Sequence, residues 1–325
     1  MSIIQEPLVF TPVYKDYLWG GSRIAKQFKR TSTPDICAES WEISAHPDGM
    51  SIVAEGSFKG STLHALTKRF GTDLTGTRAP QSDRFPLLFK IIDARSKLSV
   101  QVHPNNGNAS LTGGEPKTEM WYVLGCKAGA SLYAGMVATA TRQSVAEAIS
   151  NGTVADQLVE LRVKPDEALF IPGGLVHAIG DGCLVYEVQQ NSNTTYRMFD
   201  WNRTDAEGTP RQLHVKESLA TIDWSLKPPA MLPPEQNGET TGAIWSKVLS
   251  CKFFTMQKLN LSGSAKIEQD GSTFTSIFVV SGSAVITCNG CNVGLAKGSS
   301  TLIPAAAENY TIATTALATM LITTL

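Results

Sequence analysis

Four residues have the types and spacing to hold a metal ion. Gln101 and His103 stand two apart in SVQVHP, Glu119 opens EMWYVL, and His177 follows the turn in IPGGLVHAI. In a strand, residues two apart point to the same face, so Gln101 and His103 can reach one point. Two imidazoles with two oxygen ligands suit a borderline ion: zinc, with Mn²⁺, Fe²⁺ and Co²⁺ open as alternatives. A single histidine in a β-protein is more often a hydrogen-bonded polar residue than a ligand. Here the chain has only 5 histidines, and two of them occupy strong strand-and-turn contexts with acid and amide partners nearby. His46, before Pro47, reads as structural or as a minor pocket residue, and His64 and His214 as helix-surface residues.

Basic residues lie close to these ligands in sequence. Lys90 interrupts the apolar run FPLLFKII, Lys117 lies two before Glu119, and Arg197 follows in NTTYRMFDW. Lys and Arg are the natural partners of a phosphate dianion, with Arg able to bind it bidentately. Lys90 is hard to read as ordinary surface charge, because a lysine in an apolar strand is costly unless it faces a polar cavity. Cys288 and Cys291 form a C-x-x-C, but the intervening Asn289-Gly290 is a type I′ hairpin signal, which explains the spacing without a metal.

The elements that must position these residues are mostly short strands. FPLLFKIIDA (85–94), LSVQVHP (98–104), EMWYVLG (119–125), EALFIPGG (167–174) and CLVYEVQQ (183–190) are punctuated by Gly, Pro and Asn at a spacing that predicts an all-β sandwich or barrel. Helices are expected over 60–70, over 141–152 with Thr141 as N-cap and Val145, Ala148 and Ile149 inward, and over part of 211–224. The segment 225–243 is rich in Pro, Gly and polar residues and reads as a linker. It divides an N-terminal catalytic domain, 1–224, from a C-terminal domain, 244–325. The halves look like a degenerate repeat. Matching their Ile-Pro steps sets Asn309 at the place of His177, and matching VLG with VSG sets Ser276 at the place of Glu119. The fold expected is mainly β: two like barrels, with a few helices around the first and ligand-type residues in the first only.

Bulk properties agree with such a protein. The chain has 325 residues, 42% hydrophobic and 18% charged, with a formal net charge of −1. That balance gives no nucleic-acid or anionic-membrane surface, so phosphate affinity must come from a local cluster. No apolar run approaches the ~20 residues of a membrane helix, and no signal peptide is visible. The six scattered cysteines fit reduced thiols in a cytoplasm.

The stretches YLWGG (17–21), ESWEISAHPDG (39–49), FPLLFKIIDA (85–94), LSVQVHPN (98–105), GEPKTEMWYVL (114–124), FIPGGLVHAIGDG (170–182) and TTYRMFDWNR (194–203) together resemble the type I phosphomannose isomerases, a cupin-fold family, in its short bacterial form. The resemblance runs through most of residues 7–203 and is looser beyond. It implies cupin-like jelly-roll barrels, one zinc ion per chain held by Gln101, His103, Glu119 and His177, an active-site role for Arg197, and Lys90 and Lys117 lining a sugar-phosphate pocket. Trp19 and Glu39 match its aromatic and acidic pocket positions. Four residues before the arginine the family pattern has Asp, where this chain has Asn193; an amide cannot act as a carboxylate base, so either that position is not the base or Asn193 only positions the substrate. The activity implied is interconversion of mannose 6-phosphate and fructose 6-phosphate through a cis-enediol(ate). Glu39, Lys117 and a zinc-bound water are all open as the base. No obligate protein partner is implied. The competing readings are an iron-dependent cupin dioxygenase, a sugar-phosphate binding protein without turnover, and a metal-free barrel pair.

Overall fold

A computed structural model describes residues 3–204 and 207–325. It contains two sandwiches, each made of a large and a small sheet. In the first, a six-stranded antiparallel sheet runs in the order Ala168–Ile171, Glu119–Cys126, Cys183–Gln190, Leu87–Asp93, Glu39–Ile43, Val13–Lys15. Facing it is a five-stranded sheet in the order Tyr196–Phe199, Val100–Val102, His177–Ile179, Ser131–Met136, Leu158–Arg162. The second half repeats this arrangement. Its six-stranded sheet runs Ser300–Ile303, Thr275–Ser281, Ala318–Thr324, Thr255–Leu261, Ala243–Ser250, Glu235–Thr240, and its small sheet Ser264–Glu268, Asn309–Ala313, Ser283–Cys288, Cys291–Ala296. The two large sheets correspond strand for strand, and the small sheets correspond except for Tyr196–Phe199, which has no counterpart in the second half, so the sequence repeat is a structural one. The large and small sheets face each other as a jelly-roll sandwich and are not hydrogen-bonded into one closed barrel.

The repeat also corrects one equivalence. Glu119 is paired with Ile171 and Thr275 with Ile303, so Thr275, not Ser276, takes the place of Glu119. Successive residues of a strand face opposite ways, and a match of the VLG and VSG turns slips by one because the two strands end differently. Asn309 does correspond to His177: each opens its strand, opposite Glu268 and Gln101 respectively.

Four layers result, with three cores between them. Trp121, Val123, Leu132, Ile171, Ile179 and Val185 fill the first sandwich, and Leu259, Ile277, Val279, Ile303, Ile312 and Met320 fill the second. The two six-stranded sheets then pack on each other through Phe89, Tyr186, Phe254, Met256, Phe278 and Leu321. Tyr186 stacks on Phe278 with ring centroids 4.2 Å apart. A strand buried on both faces must be apolar at nearly every position, which is why Leu87–Asp93 reads LLFKIID and why its lysine stands out.

The helices lie where periodicity sets them. Arg142–Ser150 starts from Thr141, whose side chain forms a capping box with Ser144, and buries Val145, Ala148 and Ile149. With Val215–Thr221 it covers the outer face of the five-stranded sheet, against Val100, Val102, Tyr196 and Met198. The helix expected over 60–70 is shorter, Leu63–Phe70, because the Thr62 hydroxyl accepts from the Ala65 amide and fixes the first turn.

Within 225–243 the chain is not all loop. Leu232 exchanges two 2.8 Å backbone bonds with Ala168 at the edge of the first large sheet. Glu235–Thr240 then forms the outer strand of the second. The strand begins where Pro233 and Pro234 end, since proline has no amide to give a ladder. The N-terminal segment crosses over as well: Leu8 and Leu302 exchange backbone bonds of 2.8 and 2.9 Å. The C-x-x-C is the tip of a hairpin in which Asn289 and Gly290 both have positive φ, 48° and 78°, as type I′ requires, and all six thiols are free.

Candidate metal centre and active site

The ligand-type residues meet inside the first sandwich. His177 opens Val100–Val102's neighbouring strand directly opposite Gln101, and Glu119 reaches across from the large sheet. His177 Nε2 is 3.1 Å from His103 Nε2 and 3.4 Å from Glu119 Oε1. His103 Nε2 is 3.6 Å from Glu119 Oε2, and the Gln101 amide nitrogen is 3.4 Å from His177 Nε2. Rotating that amide exchanges its nitrogen for its oxygen at the same point. Four ligands at about 2.1 Å in a tetrahedron stand roughly 3.4 Å apart, so these separations are those of a ligand shell.

Three further observations favour a metal. His103, Glu119 and His177 are fully buried, and their ligand atoms lie within 4.8 Å of one another. Glu119 Oε1 has no hydrogen-bond partner, a costly state for a buried carboxylate unless something pairs with it. His177 Nδ1 lies 2.8 Å from the Leu175 carbonyl oxygen, which can only accept. The proton is therefore on Nδ1, and the Nε2 lone pair faces the cluster.

Burial sets the protonation of the imidazoles. It lowers His177 to about 3, and with the Lys117 charge it lowers His103 well below its ordinary value. Both are neutral, as ligation demands. Burial and the neighbouring Glu187 push Glu119 up to about 7. For Glu187 burial acts in the same direction, but Lys117 and Lys90 outweigh it and hold the carboxyl below its usual range.

Beside the cluster lies a cavity of roughly 300 Å³ lined by Trp19, Glu39, Lys90, Gln101, Lys117, Trp121, Glu187, Asn193, Arg197 and Arg211. Gln101 and Lys117 belong to both the cavity and the cluster: Lys117 Nζ is 2.7 Å from Glu119 Oε2 and 3.2 Å from His103 Nε2. The inner wall is a chain of alternating charge. Lys90 Nζ is 3.6 Å from Glu39 Oε2 and 3.4 Å from Glu187 Oε1, and Lys117 Nζ is 4.0 Å from the same Glu187 oxygen. Trp41 and Trp121 donate their indole N–H groups to Glu39 and Glu187 at 2.7 and 2.8 Å. Burial lowers Lys90, but Glu39 and Glu187 prevail and raise it above its ordinary value.

Trp19 reaches this wall because of the two glycines after it. A Cβ on Gly20 would stand 2.6 Å from Ala38, and one on Gly21 2.3 Å from the Asp93 carboxylate. That carboxylate is anchored in turn by Arg23 through its backbone amide and its Nε. The candidate ligands Gln101, His103, Glu119 and His177 are thus at the cluster, and Trp19, Glu39, Lys90, Lys117, Asn193 and Arg197 line the cavity. Asn193 takes a particular part: its Nδ2 donates to Asp48 Oδ2 at 2.7 Å, a bond an aspartate could not make. His46 is structural, its Nδ1 accepting from the Asp48 amide and its Nε2 3.2 Å from Glu115. His214 precedes its helix and accepts from the Arg197 amide.

Glu187 and Arg211 were not singled out by the sequence. The signal that marked Lys90 was present for Glu187 too, a charge inside the apolar run CLVYEVQQ, and the two residues are directly paired across adjacent strands. Arg211 gave no such signal, because it lies in a polar loop. A larger cleft of roughly 790 Å³ at the seam between the halves, lined by Arg78, Arg84, Phe85 and Phe253 among others, contains none of the ligand-type residues.

The fold and site define a cupin protein with two sandwich halves and, among the described residues, one metal-type centre, in the half that carries the imidazoles. Residues 8–124 match the family model for the phosphomannose isomerase type I catalytic domain, and residues 245–320 match that for the mannose-6-phosphate isomerase cupin domain. The chain is 38% identical to mannose-6-phosphate isomerase ManA of Bacillus subtilis, over 92% of this chain and 93% of that one. It is 36% identical to a mannose-6-phosphate isomerase of Streptococcus mutans, over 92% of each. The crystal structure of the mannose 6-phosphate isomerase from Bacillus subtilis superposes with a TM-score of 0.88 at 31% identity, covering 98% of this chain and 99% of that one. A putative mannosephosphate isomerase from Archaeoglobus fulgidus, 22% identical with a TM-score of 0.77, shares the fold. The chain belongs to the type I phosphomannose isomerase family, and it is an isomerase.

Proposed function

We propose that this protein interconverts mannose 6-phosphate and fructose 6-phosphate with one zinc ion per chain, held by Gln101, His103, Glu119 and His177. The observation that carries this reading is the junction of a buried, neutral two-histidine, one-carboxylate cluster with a cation-lined cavity of roughly 300 Å³. That volume is at the small end of ligand pockets, suited to a phosphorylated hexose. Relatives named mannose-6-phosphate isomerase match over 92% of the chain.

Bound there, zinc supplies Lewis-acid polarisation of a substrate oxygen. The chain's own groups do the rest. Proton transfer between C2 and C1 needs a group that takes a proton and returns it one carbon away. Lys117 and Glu187, 4.0 Å apart on the inner wall, are the pair placed for that shuttle. Glu39 is the less suited carboxylate, because its Oε2 is committed to the Trp41 indole and to Lys90. Lys90 holds Glu39 and Glu187 in place, and Trp19 closes the cavity against water. Arg197 offers positive charge to the substrate, and Asn193 positions it rather than acting as a base. In this reading residues 1–224 form the catalytic half and 244–325 cover its large sheet. The six free thiols suit a cytoplasmic setting.

The test is conversion of mannose 6-phosphate by purified protein as isolated, after chelation, and after zinc is restored. Activity lost on chelation and regained with zinc supports the reading. A folded, zinc-loaded protein without conversion refutes it.

A further inference from the structure

Four cations line the cavity, and they are not equivalent. Lys90 lies between Glu39 and Glu187, at 3.6 and 3.4 Å, and Lys117 is 2.7 Å from Glu119 and 4.0 Å from Glu187. Both ammonium groups are already neutralised by buried carboxylates. A phosphate dianion placed on either would have to face two of these acids at close range, and at low dielectric that repulsion is large.

The two arginines are in a different situation. Among the described residues Arg197 has no carboxylate within ion-pair distance: its Nη1 donates to the Gln212 carbonyl at 2.9 Å, and its Nε is buried without a partner. Arg211 meets Asp200 Oδ1 at 3.6 Å, an oxygen that Arg203 already holds at 2.5 Å. Burial and the nearby Arg211 charge both bear against the charged form of Arg197. Two adjacent guanidiniums facing one cavity repel each other, and a bound anion offsets that cost. Tyr17 also lines the cavity.

From this distribution we infer that Arg211, next to Arg197, anchors the phosphate of the substrate. The sugar then lies with its phosphate at the arginine side and its C1–C2 end against Lys117, Glu187 and the metal-type cluster. The spacing allows it. Arg197 is paired across the ladder with Gln101, whose amide touches His177, so one strand spacing separates the arginine side from the cluster. The sequence left open which of Lys90, Lys117 and Arg197 anchor phosphate and which do chemistry; in this assignment the two lysines are structural and chemical groups that line the pocket. The inference rests on the sugar-phosphate reading above, and Arg211 acts on binding, not on the reacting carbons.

The experiment uses zinc-loaded wild type, Arg211→Gln and Arg211→Lys, with melting curves to confirm folding. For mannose 6-phosphate, Arg211→Gln is expected to raise KM about 10- to 100-fold, the scale of one lost charge-assisted contact. Its kcat should stay within about threefold, and Arg211→Lys should recover part of the loss. Inorganic phosphate should inhibit wild type competitively and Arg211→Gln at least about tenfold less strongly. Unphosphorylated mannose, however poor a substrate, should be turned over equally by both. Unchanged KM and unchanged phosphate inhibition in Arg211→Gln would overturn the assignment, as would a loss confined to kcat. If Arg211→Gln does not fold, the same readouts on Arg211→Lys decide. If wild type converts no mannose 6-phosphate, phosphate binding by calorimetry separates the two ideas. Binding that depends on Arg211 upholds the anion site and removes only the substrate, whereas binding indifferent to Arg211 removes the anion site.

Discussion

Lys90 and Glu187 face each other on adjacent strands of a sheet that is apolar on nearly every side, with Nζ 3.4 Å from Oε1. Lys90 also sits over the Trp41 ring, 4.7 Å from its centroid. Neither charge could be buried alone, and together they bring charge to the cavity floor without breaking the strand pattern.

Removing one member should therefore cost more than the pair itself contributes. Lys90→Met leaves Glu39 and Glu187 buried with reduced compensation, and we expect a loss of about 3–5 kcal/mol of stability. Urea unfolding of the metal-free protein checks this. A loss below about 1 kcal/mol would mean the carboxylates are not held as charges.

His103→Ala and His177→Ala should each remove bound metal and activity together, because each supplies a ligand atom that no neighbour replaces. Metal content by mass spectrometry, read beside isomerase assays, tests both. Full activity in a metal-free His177→Ala protein would sink the zinc model.

The depressed histidines set a pH dependence for the metal-free protein. His177 titrates at about 3 and His103 well below 6.5 in the folded chain, whereas both return to about 6.5 on unfolding. Below 6.5 the unfolded chain binds more protons, so stability falls as pH falls through that window and is complete above it. Glu119, held up at about 7, works the other way between that value and its ordinary range, but it is one group against two, so the melting temperature of the metal-free form should still be lower at pH 5 than at pH 7.5, and a rise on acidification would contradict the assignment.

Asn193 donates to Asp48, so Asn193→Asp sets two carboxylates against each other at the cavity edge. We expect that variant not to gain activity. Adding Asp48→Asn should relieve the repulsion, with a coupling of about 0.5 kcal/mol in a double-mutant cycle, the scale of an exposed charge pair. Higher activity in Asn193→Asp alone would show that a carboxylate is what the position lacks.

The two halves are joined by the Tyr186–Phe278 stack and the sheet faces around it. Phe278→Ala should cost about 3–5 kcal/mol, as for a buried aromatic. Because the cavity it leaves is shared, unfolding of both halves should move together in one calorimetric transition.

What the sequence determined by itself is local. The period-two spacing of Gln101 and His103, the Thr141 cap and the Asn289-Gly290 turn depend on residues a few positions apart, and short-range backbone geometry leaves them little choice. The motif order around those residues also carried the family. The tertiary structure decided what depends on pairing distant strands. His103 and His177 are 74 residues apart, yet their Nε2 atoms lie 3.1 Å from each other. Lys90 meets Glu187, Arg197 is brought beside Arg211, and Thr275 rather than Ser276 takes the place of Glu119, all through register and packing. A strand's own sequence says which residues share a face, but not which strand that face will meet. The charge distribution that separates structural lysines from open arginines exists only once those strands are paired.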